Sequence, residues 1–181
     1  MGVREKFFQT ESIYFITFTI FKWQRVFVSK KYYDLFYKWF DYQKANYRNK
    51  IHGFVIMPNH FHGLIFISKK SPPISKLIQN AKRFLAYGIV KYLKEDERED
   101  ILNLFSAHSD KRKNAKHKVF TDRYDSKIME TEKMFLEKLN YIHLNPIKEP
   151  WLLAKSPEDY PYSSASNYIR DRGFYDVDVI Y

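Results

Sequence analysis

The chain is organised around residues 55–66, which read Val55-Ile56-Met57-Pro58-Asn59-His60-Phe61-His62-Gly63-Leu64-Ile65-Phe66. Pro58 presets the backbone angle of a first turn position and Asn59 tolerates the second, so the stretch predicts two apolar strands joined by a tight turn. Because side chains alternate along a strand, His60 and His62 leave the same face about 7 Å apart. Neutral imidazole is the commonest protein ligand for divalent metals, which makes this pair a candidate metal site on an open face of the sheet. The alternative is one core histidine beside one solvated histidine.

Strand and helix patterns alternate around this hairpin. Positions 13–20 are β-branched and aromatic throughout, which predicts a central strand with both faces covered. The other predicted elements are strands at 51–57, 60–67 and 119–128, and helices at 30–47, 74–93 and 131–145. Helical spacing of apolar residues places Phe84 on the packed face of the second helix and Leu136 on that of the third.

The composition predicts one domain spanning residues 1–181, with a C-terminal extension from about residue 150. The chain is 45% hydrophobic and 19% aromatic, which suffices for a sizeable core. The absence of cysteine excludes disulfides, zinc-thiolate sites and a thiol nucleophile. No apolar run has membrane-spanning length, and charges lie among the first ten residues, where a signal peptide needs its apolar region. We therefore expect a cytoplasmic protein with no membrane partner.

The charge balance predicts a polyanionic partner. The chain has 31 Lys and Arg against 21 Asp and Glu, a formal charge of +10, and nucleic acid is the usual partner of such a protein. Residues 95–118 begin acidic, contain a short apolar island and end basic, so we interpret them as a poorly structured basic excursion. The candidate DNA contacts lie on the second helix and in this excursion: Lys76, Lys82, Arg83, Lys111, Arg112, Lys113 and Lys116. A merely solvated charged surface is the alternative.

The last predicted helix carries a candidate nucleophile. Tyr141 and Asn145 are four residues apart and share one helix face, whereas His143 lies roughly opposite. Tyrosine can act as a covalent nucleophile, and an amide oxygen can bind a hard divalent cation. If this helix crosses the histidine face, one site acquires a nucleophile and a third metal ligand together. The alternative is that Tyr141, one of 15 tyrosines, only packs.

Three motifs in this order resemble those of a known family. Residues 58–62, Pro-Asn-His-Phe-His, resemble the His-hydrophobic-His (HUH) motif of single-tyrosine transposases. Residues 140–146, Asn-Tyr-Ile-His-Leu-Asn-Pro, resemble their tyrosine helix, and residues 157–165 are similar to a C-terminal signature of the REP-associated tyrosine transposases. These enzymes are related to the transposases of insertion sequence 200. The resemblance runs from about Ile13 to Tyr168.

The resemblance implies a fold and a reaction. The expected fold is α+β, a ferredoxin-like antiparallel sheet with packed helices. Family members cleave single-stranded DNA at hairpin-forming ends, so Tyr141 would attack the phosphate and stay joined to the DNA 5′ end. His60, His62 and Asn145 would then hold Mg²⁺ or Mn²⁺. Where many relatives have Trp-Gln before the last strand, this chain has Phe120-Thr121, so a contact supplied there is expected to be altered.

The sequence leaves open the oligomeric state and the reaction class. Family members occur as dimers that exchange the tyrosine helix or as monomers, so a homodimer is one expectation. Two rival functions come from other classes. One is a metal-dependent phosphodiesterase that activates water, with Tyr141 only orienting the substrate. The other is a non-catalytic nucleic-acid-binding module whose strand aromatics stack on bases.

Overall fold

The computed structural model describes residues 8–109 and 116–180. Its centre is a four-stranded antiparallel sheet with the order β2-β3-β1-β4. The strands are β1 (Ser12–Thr19), β2 (Lys50–Met57), β3 (His60–Ile67) and β4 (Asp125–Ile128). The helices are α1 (Lys30–Tyr47), α2 (Ile74–Glu95), α3 (Glu99–Ala107), α4 (Glu132–Leu144) and α5 (Ala165–Arg170). This arrangement confirms the predicted α+β, ferredoxin-like class.

Helices cover both faces of the sheet. The larger core cluster lies between one face and α1 with α2, and it includes Ile16, Phe18, Phe61, Phe36, Trp39, Leu77 and Leu85. The smaller cluster lies between the other face and α4, and it includes Phe15, Val55, Leu64, Phe135, Leu139 and Ile142. Burying each large apolar side chain stabilises the folded state by roughly 1.5–3 kcal/mol. Strand β1 is central, as predicted, because it pairs with both β3 and β4.

The alternation of side chains along β3 decides which face carries the candidate site. Phe61 points into the larger cluster under α1 and contacts Phe18 and Phe36 at ring-centroid distances of 5.0 and 5.1 Å. His60 and His62, one position to either side, therefore face α4. The tight turn at Pro58 and Asn59 fixes this register, because Met57 pairs with His60 across it.

Two predictions for residues 95–128 are corrected by the structure. The stretch interpreted as poorly structured contains α3, which buries Ile101, Leu102 and Phe105. The spacing of these three residues is helical, and the flanking charges obscured it. The last strand covers only Asp125–Ile128, and Phe120 forms an isolated bridge to Ile20. The strand starts late because backbone carbonyls of the intervening segment accept hydrogen bonds from Lys82 on α2.

Two predicted helix faces are also corrected. Leu136 is 48% exposed and Phe84 is 43% exposed, so neither packs. On α4, Phe135 takes the buried position expected for Leu136, because Phe135, Leu139 and Ile142 share the face turned to the sheet. Within the described residues, no helix combines the length and the apolarity required to span a membrane.

The C-terminal segment covers the free edge of β2. Ile56 donates its backbone N–H to the carbonyl of Tyr162 at 2.9 Å, and Phe54 donates its N–H to the Ser164 hydroxyl at 2.9 Å. Farther along the edge, Asp178 donates its N–H to the carbonyl of Ile51 at 2.8 Å. These contacts satisfy backbone hydrogen-bonding groups on an edge that would otherwise be open to another strand.

Candidate active site

His60 and His62 lie side by side beneath α4. Their ring centroids are 4.8 Å apart, and the residues are only 7% and 6% exposed. The prediction of an open histidine face is therefore wrong. The tertiary structure covers the pair, because Trp23 and Trp151 approach His60 at centroid distances of 6.0 and 5.8 Å.

Asn59 orients the ring of His60. The Asn59 amide nitrogen donates to the carbonyl of Trp23 at 3.0 Å, which turns the amide oxygen to Nδ1 of His60 at 2.7 Å. An amide oxygen can only accept a hydrogen bond, so Nδ1 of His60 must carry the hydrogen. In the neutral ring, Nε2 then keeps its lone pair, which is the form that binds a metal.

His62 is held from two sides. Its Nδ1 lies 2.7 Å from the hydroxyl oxygen of Thr17, which is its direct partner across the β1–β3 ladder. The ring of Phe15 stacks on the imidazole at a centroid distance of 5.5 Å. These contacts leave Nε2 of His62 facing α4.

Both histidines are neutral at physiological pH. Burial lowers the pKa of His60 to about 4, and a hydrogen bond with the Asn145 side chain opposes that shift. Burial also lowers the pKa of His62 to about 3, with further lowering by His60 and Lys138. Neutral imidazole is the form that binds a metal, so neither ring has to lose a proton before an ion binds.

Helix α4 brings Tyr141 onto this pair. A side chain at position 53 would meet Leu139 at 2.7 Å, so Gly53 on β2 allows α4 to approach the sheet closely. On the opposite face of the helix, Nε2 of His143 lies in hydrogen-bonding contact with the Ser164 hydroxyl at 2.9 Å. The phenol oxygen of Tyr141 then lies 3.5 Å from Nε2 of His62. Tyr141 itself is 40% exposed.

Asn145 completes the convergence. It caps the C-terminal end of α4, one turn beyond Tyr141, and its side chain lies close enough to His60 to oppose the lowering of the His60 pKa. His60, His62, Tyr141 and Asn145, all selected from the sequence, are thus brought together within one chain. The nucleophile candidate comes from the same chain as the histidines.

His60 and His62 suit a divalent metal only if the Asn145 amide oxygen is a third ligand. Within residues 8–109 and 116–180, no group of three His, Cys, Asp or Glu side chains could hold an ion. The two imidazole nitrogens therefore need the amide oxygen of Asn145 as a third protein ligand. Imidazole binds first-row divalent metals and amide oxygen suits Mg²⁺ and Mn²⁺, so the residues fit such an ion.

Lys138 is a neighbour of Tyr141 that sequence analysis missed. Its ammonium lies 5.3 Å from the ring centroid of Tyr141 and 4.7 Å from that of Phe15. The spacing of three residues from Tyr141 on one helix was the available signal. Lys138 thus places a positive charge beside the phenol, where it could pair with a phosphate oxygen.

An aromatic wall beside His60 was missed as well. Trp23 is 62% exposed and has a φ of 56°, in the left-handed region. Such a conformation is costly for a bulky side chain and recurs at functional sites. Arg25 places its guanidinium 5.2 Å from the ring centroid of Trp151. Two tryptophans and an arginine therefore border the histidine pair.

The predicted DNA contacts differ in their surroundings. Lys76, Arg83 and Lys116 are exposed. The ammonium of Lys82 donates to the carbonyls of Thr121 and Arg123 at 2.9 and 3.0 Å, and burial lowers the pKa of Lys82 to about 8. Lys111, Arg112 and Lys113 lie outside the described residues.

Phe120 and Thr121, which stand where many members of the resembled family have Trp-Gln, are held by packing and hydrogen bonding. Phe120 is 8% exposed and packs edge-on against Phe18 at a centroid distance of 5.5 Å. Thr121 donates its N–H to the carbonyl of Thr19 at 3.0 Å. This pair therefore anchors the segment that leads to β4.

Comparison with solved structures identifies the fold. The chain is similar to a REP-associated tyrosine transposase solved with a REP hairpin bound, with a TM-score of 0.68 and 16% identity over 100% of this chain and 92% of that chain. It is also similar to a candidate transposase from Deinococcus radiodurans R1, with a TM-score of 0.49 and 14% identity over 78% of this chain and 95% of the other. No protein-family model matches the chain, and none of the curated proteins compared with it matches. The chain therefore has the fold of a REP-associated tyrosine transposase, as the sequence motifs predicted.

Proposed function

We propose that this protein is a transposase-like DNA strand transferase that cleaves and rejoins single-stranded DNA at hairpin-forming sequences. The observation that carries the proposal is the position of the Tyr141 phenol, 3.5 Å from Nε2 of His62 on a helix that also presents Asn145 to His60. The similar transposase was solved with a REP hairpin, which supports hairpin DNA as the ligand.

In the proposed reaction, the phenol oxygen of Tyr141 forms a bond to the scissile phosphorus. The bond from phosphorus to the 3′ oxygen breaks, and this oxygen takes up a proton to become a hydroxyl. The phenol releases its proton, and water can accept it because Tyr141 is partly exposed. The product is a 5′-phosphotyrosine that keeps the energy of the phosphodiester bond. Attack by another 3′ hydroxyl reverses the step and joins two strands.

The other residues of the site would lower the barrier through charge and position. When bound by His60, His62 and Asn145, Mg²⁺ or Mn²⁺ would supply Lewis-acid stabilisation of the developing negative charge. Lys138, beside the phenol, would neutralise a phosphate oxygen as the new bond forms. Asn59 and Thr17 would hold the two imidazoles in place, so that the attack geometry is fixed before DNA binds.

Trapping of a covalent adduct tests the proposal. The protein is incubated with Mn²⁺ and a mixture of fluorescent oligonucleotides, each with a hairpin flanked by single strands. We expect a labelled protein band that survives denaturation, in which the DNA is joined through its 5′ phosphate. Cleavage without an adduct would instead favour the water-activating phosphodiesterase. Binding without cleavage under any metal would favour the non-catalytic module.

The proposed chemistry does not require two subunits. Tyr141, His60, His62 and Asn145 meet within one chain, so an exchanged helix is unnecessary for the reaction. A homodimer stays a prediction for assembly, and the molar mass in solution, with and without hairpin DNA, tests it.

A further inference from the structure

A second site lies on the sheet face opposite the candidate active site. Helices α1 and α2 pack side by side there and leave a cleft of about 580 Å³ between them. We call it the α1–α2 cleft, and it is lined by Lys38, Trp39, Tyr42, Gln43, Tyr47, Leu77, Asn80, Arg83, Phe84 and Tyr87. Its volume is that of a ligand-binding groove.

Aromatic rings in this cleft are exposed to solvent. Tyr87 is 74% exposed, Tyr42 is 51% exposed and Phe84 is 43% exposed. Exposed rings grouped in one groove indicate a binding surface, since the core gains nothing from them. Flat rings that are exposed to solvent are the groups on which unpaired bases stack.

The charge of the cleft favours an anion. Lys38 and Arg83 line it, and no carboxylate is among the lining residues that the structure describes. The two acidic residues of α1 are engaged elsewhere, because Asp34 pairs with Lys30 at 2.7 Å and Asp41 accepts a hydrogen bond from Tyr175 at 2.8 Å. Helix α2 has no acidic residue before its last, Glu95.

We propose that the α1–α2 cleft binds single-stranded DNA, with bases stacked on Tyr42, Phe84 and Tyr87 and phosphates held by Lys38 and Arg83. The inference deepens the proposed function, since it assumes that DNA is the substrate, and it adds a contact remote from the phosphate under attack. A DNA strand that reaches both the cleft and the candidate active site passes around an edge of the β-sheet. The cleft therefore holds the DNA outside the cleaved segment.

Photocrosslinking places the DNA directly. The probe is oligothymidylate with 5-iododeoxyuridine at single positions, irradiated with the full-length protein in EDTA so that no metal-dependent cleavage occurs. Trypsin then releases residues 84–91 and 39–44 as separate peptides from the two walls of the cleft, and residues 139–148 from the candidate active site. We expect crosslinks in both cleft peptides.

Matched variants measure the contribution of the cleft to affinity. Tyr87→Ala combined with Phe84→Ala removes two stacking surfaces, and we expect the affinity for oligothymidylate to fall on the order of tenfold for each lost stack. Phe174→Ala is the control, because Phe174 is 67% exposed and lies outside the cleft. Unchanged thermal unfolding of each variant confirms that the fold is intact.

The outcomes separate this inference from the proposed function. Crosslinks confined to residues 139–148 would overturn the cleft as a DNA site while leaving the active site. Cleft crosslinks without any Tyr141 adduct in Mn²⁺ would support the cleft and contradict the strand transferase. A dimer of the unmodified chain that dissociates in the cleft variant, with no loss of DNA affinity, would assign the cleft to a second copy of the chain and overturn the inference.

Discussion

The phenol oxygen of Tyr141 lies 3.5 Å from Nε2 of His62, although 79 residues separate them in the chain. The contact joins α4 to β3, and Gly53 leaves room on β2 for the Leu139 side chain of α4. It places the candidate nucleophile beside a ring nitrogen that is available to a metal.

Tyr141→Phe should abolish covalent adducts and leave hairpin DNA binding within about twofold, because only the nucleophilic oxygen is lost. Tyr92→Phe is the control, since it removes an equivalent hydroxyl from a tyrosine of α2 on the opposite face of the sheet, and its adduct level should equal that of the wild type. Denaturing gels and fluorescence anisotropy measure the two quantities. Adducts that persist in Tyr141→Phe would move the nucleophile elsewhere.

Mn²⁺ should stabilise the folded protein through the histidine pair. A ligand at 100 times its dissociation constant adds about 2.7 kcal/mol to the free energy of unfolding, so the unfolding temperature should rise with Mn²⁺. His62→Ala should lose this rise. It should also lower metal-free stability by about 1–3 kcal/mol, because the residue is buried and Thr17 loses its partner. Exposed His108, changed to Ala, should leave the Mn²⁺ response intact; a full Mn²⁺ response in His62→Ala would rule out this metal site.

Asn145→Ala should lower metal affinity and cleavage rate together, and excess Mn²⁺ should partly restore the rate. The physical reason is that the Asn145 amide is the proposed third protein ligand beside the two histidines. Asn145→Asp keeps an oxygen donor and adds charge, so metal affinity should be retained or raised. Asn140→Ala on an exposed face of α4 is the control. Calorimetric titration with Mn²⁺ measures the affinity, and unchanged binding in Asn145→Ala would require another third ligand.

Lys138→Met should slow adduct formation at saturating DNA on the order of tenfold, because a cation beside the phenol stabilises the charge of the phosphoryl transition state. Lys133→Met removes a charge from an exposed position on the same helix and should leave the rate unchanged. Single-turnover kinetics separate the chemical step from binding. Equal rates in the two variants would show that Lys138 acts only through the general charge of the surface.

Arg83 and Lys82 should differ in the salt dependence of DNA binding. Each phosphate contact contributes about −0.7 to the slope of log affinity against log salt for single strands, so Arg83→Gln should flatten the slope by about that amount. Lys82→Gln should leave the slope unchanged and lower stability, because the ammonium of Lys82 already serves two backbone carbonyls. Binding isotherms at several salt concentrations and thermal unfolding test both. A flatter slope in Lys82→Gln would show that this lysine leaves its carbonyls to bind DNA.

The sequence determined the elements that carry the candidate site and the spacing of its residues. The Pro58-Asn59 turn and the period of two along β3 put His60 and His62 on one face, and the helical period put Tyr141 and Asn145 on one face. The motifs also predicted the ferredoxin-like fold. The placement of these four side chains on their faces is local, since spacing along a strand or a helix fixes it before any packing occurs.

Only the tertiary structure decided which faces meet and what covers them. Thr17 reaches His62 because β1 and β3 pair in one register. Lys138 reaches Phe15 because α4 packs on the sheet face from which Phe15 projects. The burial of the histidines, the packing of α3 and the α1–α2 cleft likewise depend on segments far apart in the chain. Such contacts arise from the joint packing of the whole core, because hydrophobic burial is non-directional and a local pattern fixes the face of an element without naming its partner.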